Sequence, residues 1–265
     1  VRVQVLASVM NQSLDIVDKM NISSDAIIIN QCSQFELQKL VKGERNISIY
    51  SFSERGVGLS RNNALMRASE DILLFADDDL VYNNTYETQI IREFEEHPDA
   101  DMIFFNVPSL NCKRPSFMVK KFSRVHWFNC LRYGTIRIAV KRLSIHSRNI
   151  TFSLLFGGGA YYGSGEDTLF IHECLKKGLK IYTSPEIIGY VEQKTSSWFR
   201  GYNEKYFYDK GALFYSISPL LFRLYCLQYC IRKYSIYSSD IKFGNAYRCM
   251  MAGSKDIKRK QMGKD

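Results

Sequence analysis

Five short runs of aliphatic and β-branched residues recur through the first 107 residues, and they constrain the fold more than any other feature of the chain. They read VRVQVLASV, DAIIINQ, NISIYSF, DILLFAD and DMIFFNV. Each is almost continuously apolar, as strands are in a parallel sheet covered on both faces. Between them FELQKLVKG, LSRNNALMRAS and TYETQIIREFEEH place apolar residues at three- and four-residue intervals with charges between, which predicts amphipathic helices. The β-α-β order predicts an open α/β sheet whose ligands bind beyond the carboxyl ends of its strands.

The second half is organised differently. DTLFIHECLKKG predicts a helix stopped by Gly178, and LKIYTSP one more strand. From Tyr202 the pattern is helical in three segments, KYFYDKGALFYSIS, PLLFRLYCLQYCIRKY and FGNAYRCMMAG, with a boundary expected near residues 195–202. Charge divides the chain too, and the net +9 conceals it. Residues 1–101 carry 9 Lys/Arg against 17 Asp/Glu, residues 102–165 carry 10 basic residues and no acid, and residues 201–265 carry 12 against 5. An acidic first block argues against a nucleic-acid-binding module, which the basic second half alone would suggest. Seven cysteines without a CxxC pair read as reduced thiols of a cytosolic protein, with Cys226 and Cys230 assigned to packing. The start VRVQVLASVM lacks a signal-peptide pattern, and no run reaches the roughly 18 apolar residues of a spanning helix.

Three segments carry chemistry. LLFADDDL runs from an apolar strand into Asp77-Asp78-Asp79. Three adjacent carboxylates cannot all be buried without a cation, and at a strand end one or two of them can hold a hard divalent ion while a diphosphate completes its shell. Upstream, ERGVGLSRNNALMRA offers Gly56 and Gly58 for tight turns, Ser60 as a helix cap, and Arg55 or Arg61 to face a phosphate. GSGEDTLF sets Glu166-Asp167 at the mouth of a helix, either as an N-terminal cap or as a pair in which one carboxylate takes a proton from an attacking hydroxyl.

Together these segments resemble the family 2 glycosyltransferases of the GT-A fold. VQVLASVMN is similar to the family's first strand, which would put Val9 and Asn11 at the nucleotide pocket. AIIINQ is similar to its second, with Asn30 and Gln31 where the family usually has an Asp on the uracil base. Ser60-Arg61-Asn62 resembles the A-R-N motif, FADDD the D-x-D motif, and Gly165-Glu166-Asp167 the E-D motif. The resemblance implies that Arg55, Arg61, Asn62, Asp77 and Asp78 bind the nucleotide-sugar and that Asp79, with Asp77, holds Mn2+ or Mg2+. It implies Asp167 as the base with Glu166 beside it, the two roles being exchangeable at this stage. Gly158, Gly159 and Trp198 are expected on the acceptor side. The stretch SSWFRGYNEKYFYDKGALF is similar to the C-terminal part of bacterial capsule and O-antigen glycosyltransferases.

The fold so implied is a Rossmann-like GT-A domain over residues 1–200, with a nucleotide and metal half (1–101) and an acceptor half (102–200), followed by a C-terminal helical extension (201–265). The activity implied is inverting transfer from a UDP-sugar to a saccharide acceptor, polyprenyl-diphosphate-linked, on the cytoplasmic face of the bacterial inner membrane. Arg124, Arg132, Arg137, Lys141 and Arg142 are candidates to hold that diphosphate, against a solvated basic face. The basic, aromatic C-terminal block reads as a peripheral contact with anionic membrane or as a helical lid. A sugar nucleotidyltransferase is the nearest rival, and VLASVMNQS lacks its Gly-rich signature. No nucleic-acid partner is expected.

Overall fold

The computed structural model describes residues 1–112, 114–192 and 201–263. Eleven strands and eight α-helices follow one another among these residues: β1 (Val3–Met10), α1 (Ile16–Lys19), β2 (Asp25–Gln31), β3 (Glu36–Lys42), β4 (Arg45–Phe52), α2 (Val57–Arg67), β5 (Ile72–Asp77), β6 (Leu80–Tyr82), α3 (Tyr86–Glu96) and β7 (Met102–Asn106). There follow β8 (Ser123–Arg124), β9 (Ile138–Lys141), α4 (Arg142–His146), α5 (Glu166–Lys176), β10 (Ile181–Ile187), β11 (Gly189–Val191), α6 (Glu204–Ile217), α7 (Phe222–Tyr237) and α8 (Phe243–Gln261). Nine strands form one sheet in the order β3-β4-β2-β1-β5-β9-β7-β10-β8, and β6 and β11 form a second small one.

The apolar runs behave as their composition requires. Alternate residues of β1, β2 and β5 feed two separate cores. Val5, Ala7, Ile28 and Leu74 pack with Ile16, Val17, Tyr86 and Ile90 on one face. Leu6, Ile27, Ile29 and Phe75 pack with Leu65, Phe170 and Ile171 on the other. Both faces are therefore covered, which a near-continuous apolar strand needs. Strands β4, β2, β1 and β5 run parallel, so Phe52, Gln31, Met10 and Asp77 all end at one edge of the sheet. The chain lays β2 and β4 to one side of β1 and returns through α2 to lay β5 on the other, leaving a crevice at that reversal.

FELQKLVKG does not form the expected helix. Glu36–Lys42 is an antiparallel edge strand on β4, closed by a two-residue turn in which Gly43 has φ +62°. Its three-and-four spacing would suit a helix in isolation. The open edge of β4 supplies a full ladder of backbone partners, and that outweighs a local preference with no apolar surface to pack against, since Leu37, Leu40 and Val41 stay exposed. Ser60 also departs from expectation. The helix begins at Val57 with Gly56 as its cap residue, and the Ser60 hydroxyl lies one turn inside, bonded to Ser8 Oγ at 2.7 Å.

The three C-terminal helices build a further core from Phe207, Cys226, Cys230, Tyr237, Ala246 and Met250. All seven cysteines are free, and the Cys226–Cys230 pair is interior packing, with Cys230 Sγ 3.5 Å from Met250 Sδ. Where α6 crosses α8 the two backbones touch. A β-carbon on Gly211 would lie 1.9 Å from the Met250 carbonyl oxygen, and one on Gly253 would lie 1.9 Å from that of Tyr208. No helix among the described residues is long and apolar enough to cross a membrane.

Gly211→Ala and Gly253→Ala each force these helices apart. Each is expected to cost about 1–3 kcal/mol, the usual cost of overpacking, read as a lower midpoint in thermal unfolding. An unchanged midpoint for both would show that the crossing is not close-packed.

Candidate active site

The carboxyl-terminal edge of the sheet opens into a cleft of about 950 Å³. Its floor is Ser8, Val9 and Met10 at the end of β1 and Asp77, Asp78 and Asp79 at the end of β5. Gln31, Arg55 and Gly56 form part of its wall, Gly158 and Gly159 lie directly against Gly56, and Glu166 and Asp167 complete the lining. Pairing of β11 with β6 sets Glu192 beside Asp79, whose carbonyl oxygen accepts from Glu192 N at 3.1 Å. Lys19, Arg114, Ser164 and Glu192 also line the cleft and were not singled out from sequence. Their only sequence signal is general: Arg114 belongs to the acid-free block, while Lys19 and Glu192 look like ordinary surface charges.

Arg61 joins the two acidic motifs. It lies on α2, and its side chain is only 5% exposed. Nη2 donates to Asp77 Oδ1 at 2.8 Å and Nη1 to Glu166 Oε1 at 3.0 Å, with the Phe152 ring 5.5 Å from the guanidinium. Burial disfavours the guanidinium charge, but attraction to Asp77 and Glu166 outweighs it and holds Arg61 above its ordinary pKa. Glu166 is raised above the usual carboxylate range by burial first and by the neighbouring Asp167 second, with Arg61 opposing both. Glu166 Oε2 also accepts from Gly165 N at 3.1 Å, so both of its oxygens are engaged. Asp167 lines the cleft one residue on, with Oδ1 bonded to Thr168 N at 2.6 Å.

The other expected donor contacts separate into two groups. Gln31 faces the cleft and ties its rim: its side chain accepts from Gly56 N at 2.9 Å, and its carbonyl oxygen accepts from Arg55 Nη1 at 2.7 Å. Asn30 lies beneath the surface, exchanging hydrogen bonds with the Gln12 backbone and donating to Ser51 Oγ at 3.2 Å. Asn11 turns the chain with φ +50°, a left-handed conformation that Asn tolerates, and does not line the cleft. Asn62 points away from it and clamps Phe152, accepting from its N at 2.8 Å and donating to its O at 2.9 Å. Asp78 Oδ2 accepts from Gln12 Nε2 at 3.3 Å. Trp198 lies outside the described residues.

Gly159 shows why that wall is glycine. A β-carbon there would stand 3.0 Å from Gly56 N, and the adjacent Gly158 carbonyl accepts from Val57 N at 2.8 Å. Beyond it, the segment leading into Glu166-Asp167 is gripped from outside the sheet domain. Asp209 on α6 is 7% exposed and accepts from Gly163 N at 3.0 Å. Lys205 pairs with Asp209 and donates to Tyr161 O at 2.9 Å, and the Tyr162 hydroxyl donates to Asp256 on α8 at 2.8 Å. Burial lowers the pKa of Lys210, while Asp167, Asp209 and Glu166 oppose that shift.

The five basic residues expected to hold a diphosphate do not converge. Arg137 is buried and donates to Phe117 O. Lys141 and Arg142 donate to Pro98 O and Glu70 O at 2.7 and 3.0 Å. Lys141 pairs with Ile72 at the start of β5, so both stand at the opposite edge of the sheet from the cleft. Arg124 and Arg132 stack on Tyr182 and Phe117. Unpaired backbone carbonyls and ring faces attract a guanidinium or ammonium wherever they occur, and that local demand dispersed the block.

Among the described residues no group of three or more His, Cys, Asp or Glu side chains forms a metal cage. The cleft floor still fits a hard divalent cation. Asp77 is 37% exposed on its side chain and Asp79 lines the cleft beside it, and one or two carboxylates suffice when a substrate diphosphate supplies the remaining oxygens. His172 is no part of this set; it lies inside α5, edge-on to Trp127 at 4.7 Å.

The cleft brings two acidic motifs together at the carboxyl-terminal edge of an α/β sheet, and comparison with known proteins gives its class. The model of glycosyl transferase family 2 matches residues 3–156. The chain belongs to that family and is a glycosyltransferase of GT-A fold. Similar solved structures include S. aureus TarS 1-349 in complex with UDP-GlcNAc, with a TM-score of 0.66 at 14% identity over 99% of this chain and 92% of that one. The same TarS segment with UDP gives a TM-score of 0.62 at 13% identity, covering 99% and 92%. TarS itself gives 0.63 at 15% identity, covering 91% of this chain and 45% of that one. A comparison with curated protein sequences finds no match.

Arg61→Met removes the shared cation. It is expected to destabilise the fold toward the lower end of about 3–5 kcal/mol, because Asp77 is partly solvated while Glu166 is left buried and unpaired; chemical denaturation measures this. Arg61→Met with wild-type stability would show that the bridge is not formed. Asp209→Ala is expected to lower turnover several-fold while leaving donor affinity unchanged, and Asp209→Asn, which keeps an acceptor for Gly163 N, should restore most of the loss. Equal loss in both variants would separate Asp209 from loop positioning.

Proposed function

We propose that the chain transfers a sugar from a UDP-sugar to a saccharide acceptor with inversion at the anomeric carbon. The observation that carries this reading is the Arg61 bridge, because it ties Asp77 and Glu166, one residue from each acidic motif, together in one cleft. The similarity to TarS in complex with UDP-GlcNAc and with UDP supports a uridine donor.

In this reading the donor lies over the end of β1, with Gln31 and Arg55 on its nucleoside side and Asp78 beside the loop at Gln12. Asp79 and Asp77 are the residues that would hold Mn2+ or Mg2+, a Lewis acid that when bound offsets charge on the departing diphosphate. Asp167 takes the proton from the acceptor hydroxyl. As that oxygen bonds to the anomeric carbon, the bond from this carbon to the diphosphate oxygen breaks and UDP leaves with the electron pair. The roles left exchangeable by the sequence divide here. Glu166 has both oxygens engaged by Arg61 and Gly165, which supports Asp167 as the base and Glu166 as its anchor.

For the acceptor we retain a saccharide carried on a polyprenyl diphosphate, of bacterial surface polysaccharide synthesis. Arg114, exposed at the cleft, is the cation that supports an anionic carrier. Gly158, Gly159 and Ser164 form the wall it would approach.

UDP release from a panel of UDP-sugars, with Mn2+, with Mg2+ and with a chelator, tests the donor. Turnover with one UDP-sugar and its loss on chelation are expected; absence of binding and turnover with every UDP-sugar overturns the reading. Asp79→Ala is expected to abolish the metal-dependent part of donor binding. Asp167→Asn is expected to keep donor binding and lower kcat by about 10²–10⁴-fold. A near-wild-type rate for Asp167→Asn assigns the base elsewhere.

A further inference from the structure

The C-terminal helices turn most of their aromatic residues inward, yet they leave one apolar face uncovered. Leu220 is 93% exposed, Leu224 60%, Ile231 62%, and Leu227 and Tyr234 are exposed as well. At 100° per residue, Leu224, Leu227, Ile231 and Tyr234 share a stripe about 80° wide along α7. The adjoining face, about 100° round the helix, is a normal interior face, with Cys226, Cys230 and Tyr237 in the core. α7 is therefore apolar over two adjoining faces, of which only one is packed. A contiguous exposed apolar stripe of this kind marks an interaction surface.

The charges beside it identify the partner. Exposed Arg223 borders one edge of the stripe, and Arg232 lies beyond Gln228 and Ser235 on the other. No acidic residue occurs between Asp209 and Asp240. We propose that this face of α7 docks on an anionic lipid bilayer, with the leucine and isoleucine side chains in the acyl boundary and the arginines on headgroup phosphates. Sixteen residues give a helix about 24 Å long, which suits lying in the plane of the interface. Long cationic side chains flanking an apolar stripe reach outward to phosphate while their stems stay on apolar surface. A second copy is the poorer occupant: stripe against stripe would bring the Arg223 and Arg232 side chains that flank it close to those of the other copy, with no acid on this helix to pair with them.

The surface is independent of the donor and acceptor assigned above, so its test uses binding alone. The full chain is sedimented with equimolar phosphatidylcholine–phosphatidylglycerol vesicles and with phosphatidylcholine vesicles. Binding to the anionic vesicles, weakened by salt, is expected. The double variant Leu224→Ser/Ile231→Ser should bind at least about tenfold more weakly, from the lost burial of two aliphatic side chains. Arg223→Glu/Arg232→Glu should lose a similar factor on the anionic vesicles only. Because all four positions are exposed, thermal unfolding midpoints should match the wild type, and the charge variant stands as an independent test if the serine variant misfolds. No binding of the wild type to anionic vesicles overturns the proposal. So does binding lost in Phe128→Ser, at the fully exposed tip of another loop, but kept in Leu224→Ser/Ile231→Ser. Sedimentation velocity showing a dimer that Leu224→Ser/Ile231→Ser dissociates, with no vesicle binding, assigns the face to a second copy and overturns it equally.

Discussion

One buried guanidinium organises the catalytic half of this molecule. Arg61 rises from α2 between the end of β5 and the start of α5, and each of its terminal nitrogens carries one acidic motif. A charge taken from water in this way adds little net stability, because desolvation offsets most of the Coulomb gain. What it supplies is geometry. Asp77 and Glu166 are 89 residues apart in sequence, and the shared cation is what joins their side chains. In the second acidic pair the bridge engages Glu166, whereas Asp167, which also lines the cleft, is not bonded to Arg61.

The wall that carries this pair is mostly glycine and cannot hold its own shape. Small residues let it lie backbone to backbone on the loop before α2, as at Gly159 and Gly56, but they give it few side-chain contacts. Rigidity comes from α6 and α8, where Asp209, Lys205 and Asp256 bind consecutive groups from Tyr161 to Gly163. The close crossing at Gly211 and Gly253 keeps those two helices in register. The C-terminal unit is thus continuous with the site it borders. Its inner side braces the glycine-rich wall of the cleft, and an exposed face of α7 carries the apolar stripe.

The charge distribution has a similar internal logic. Of the 17 acidic residues in the first block only Asp77, Asp78 and Asp79 line the cleft, at the end of β5. The cations of the acid-free block answer nearer demands, such as Pro98 O, Glu70 O, Phe117 O and the rings of Tyr182 and Phe117.

Read by itself, the sequence determined six of the nine strands of the central sheet (β1, β2, β4, β5, β7 and β10), most of the helices, and the two acidic motifs. Strand composition and helix periodicity are local properties, and burial on both faces is written into the apolar runs. It misassigned Glu36–Lys42, where the available hydrogen-bonding edge of β4 decided the outcome. It could not tell that Asn30 and Asn62 would be absorbed into holding loops, or that Lys19, Arg114 and Glu192 would reach the cleft, because each depends on partners distant in the chain. Tertiary structure alone decided that Arg61 would join Asp77 to Glu166, that the basic block would scatter, and that the leucines of α7 would face outward. The reason is common to all three: a side chain's partner is set by which backbones the fold brings within a few ångströms, and that distance is not a property of sequence spacing.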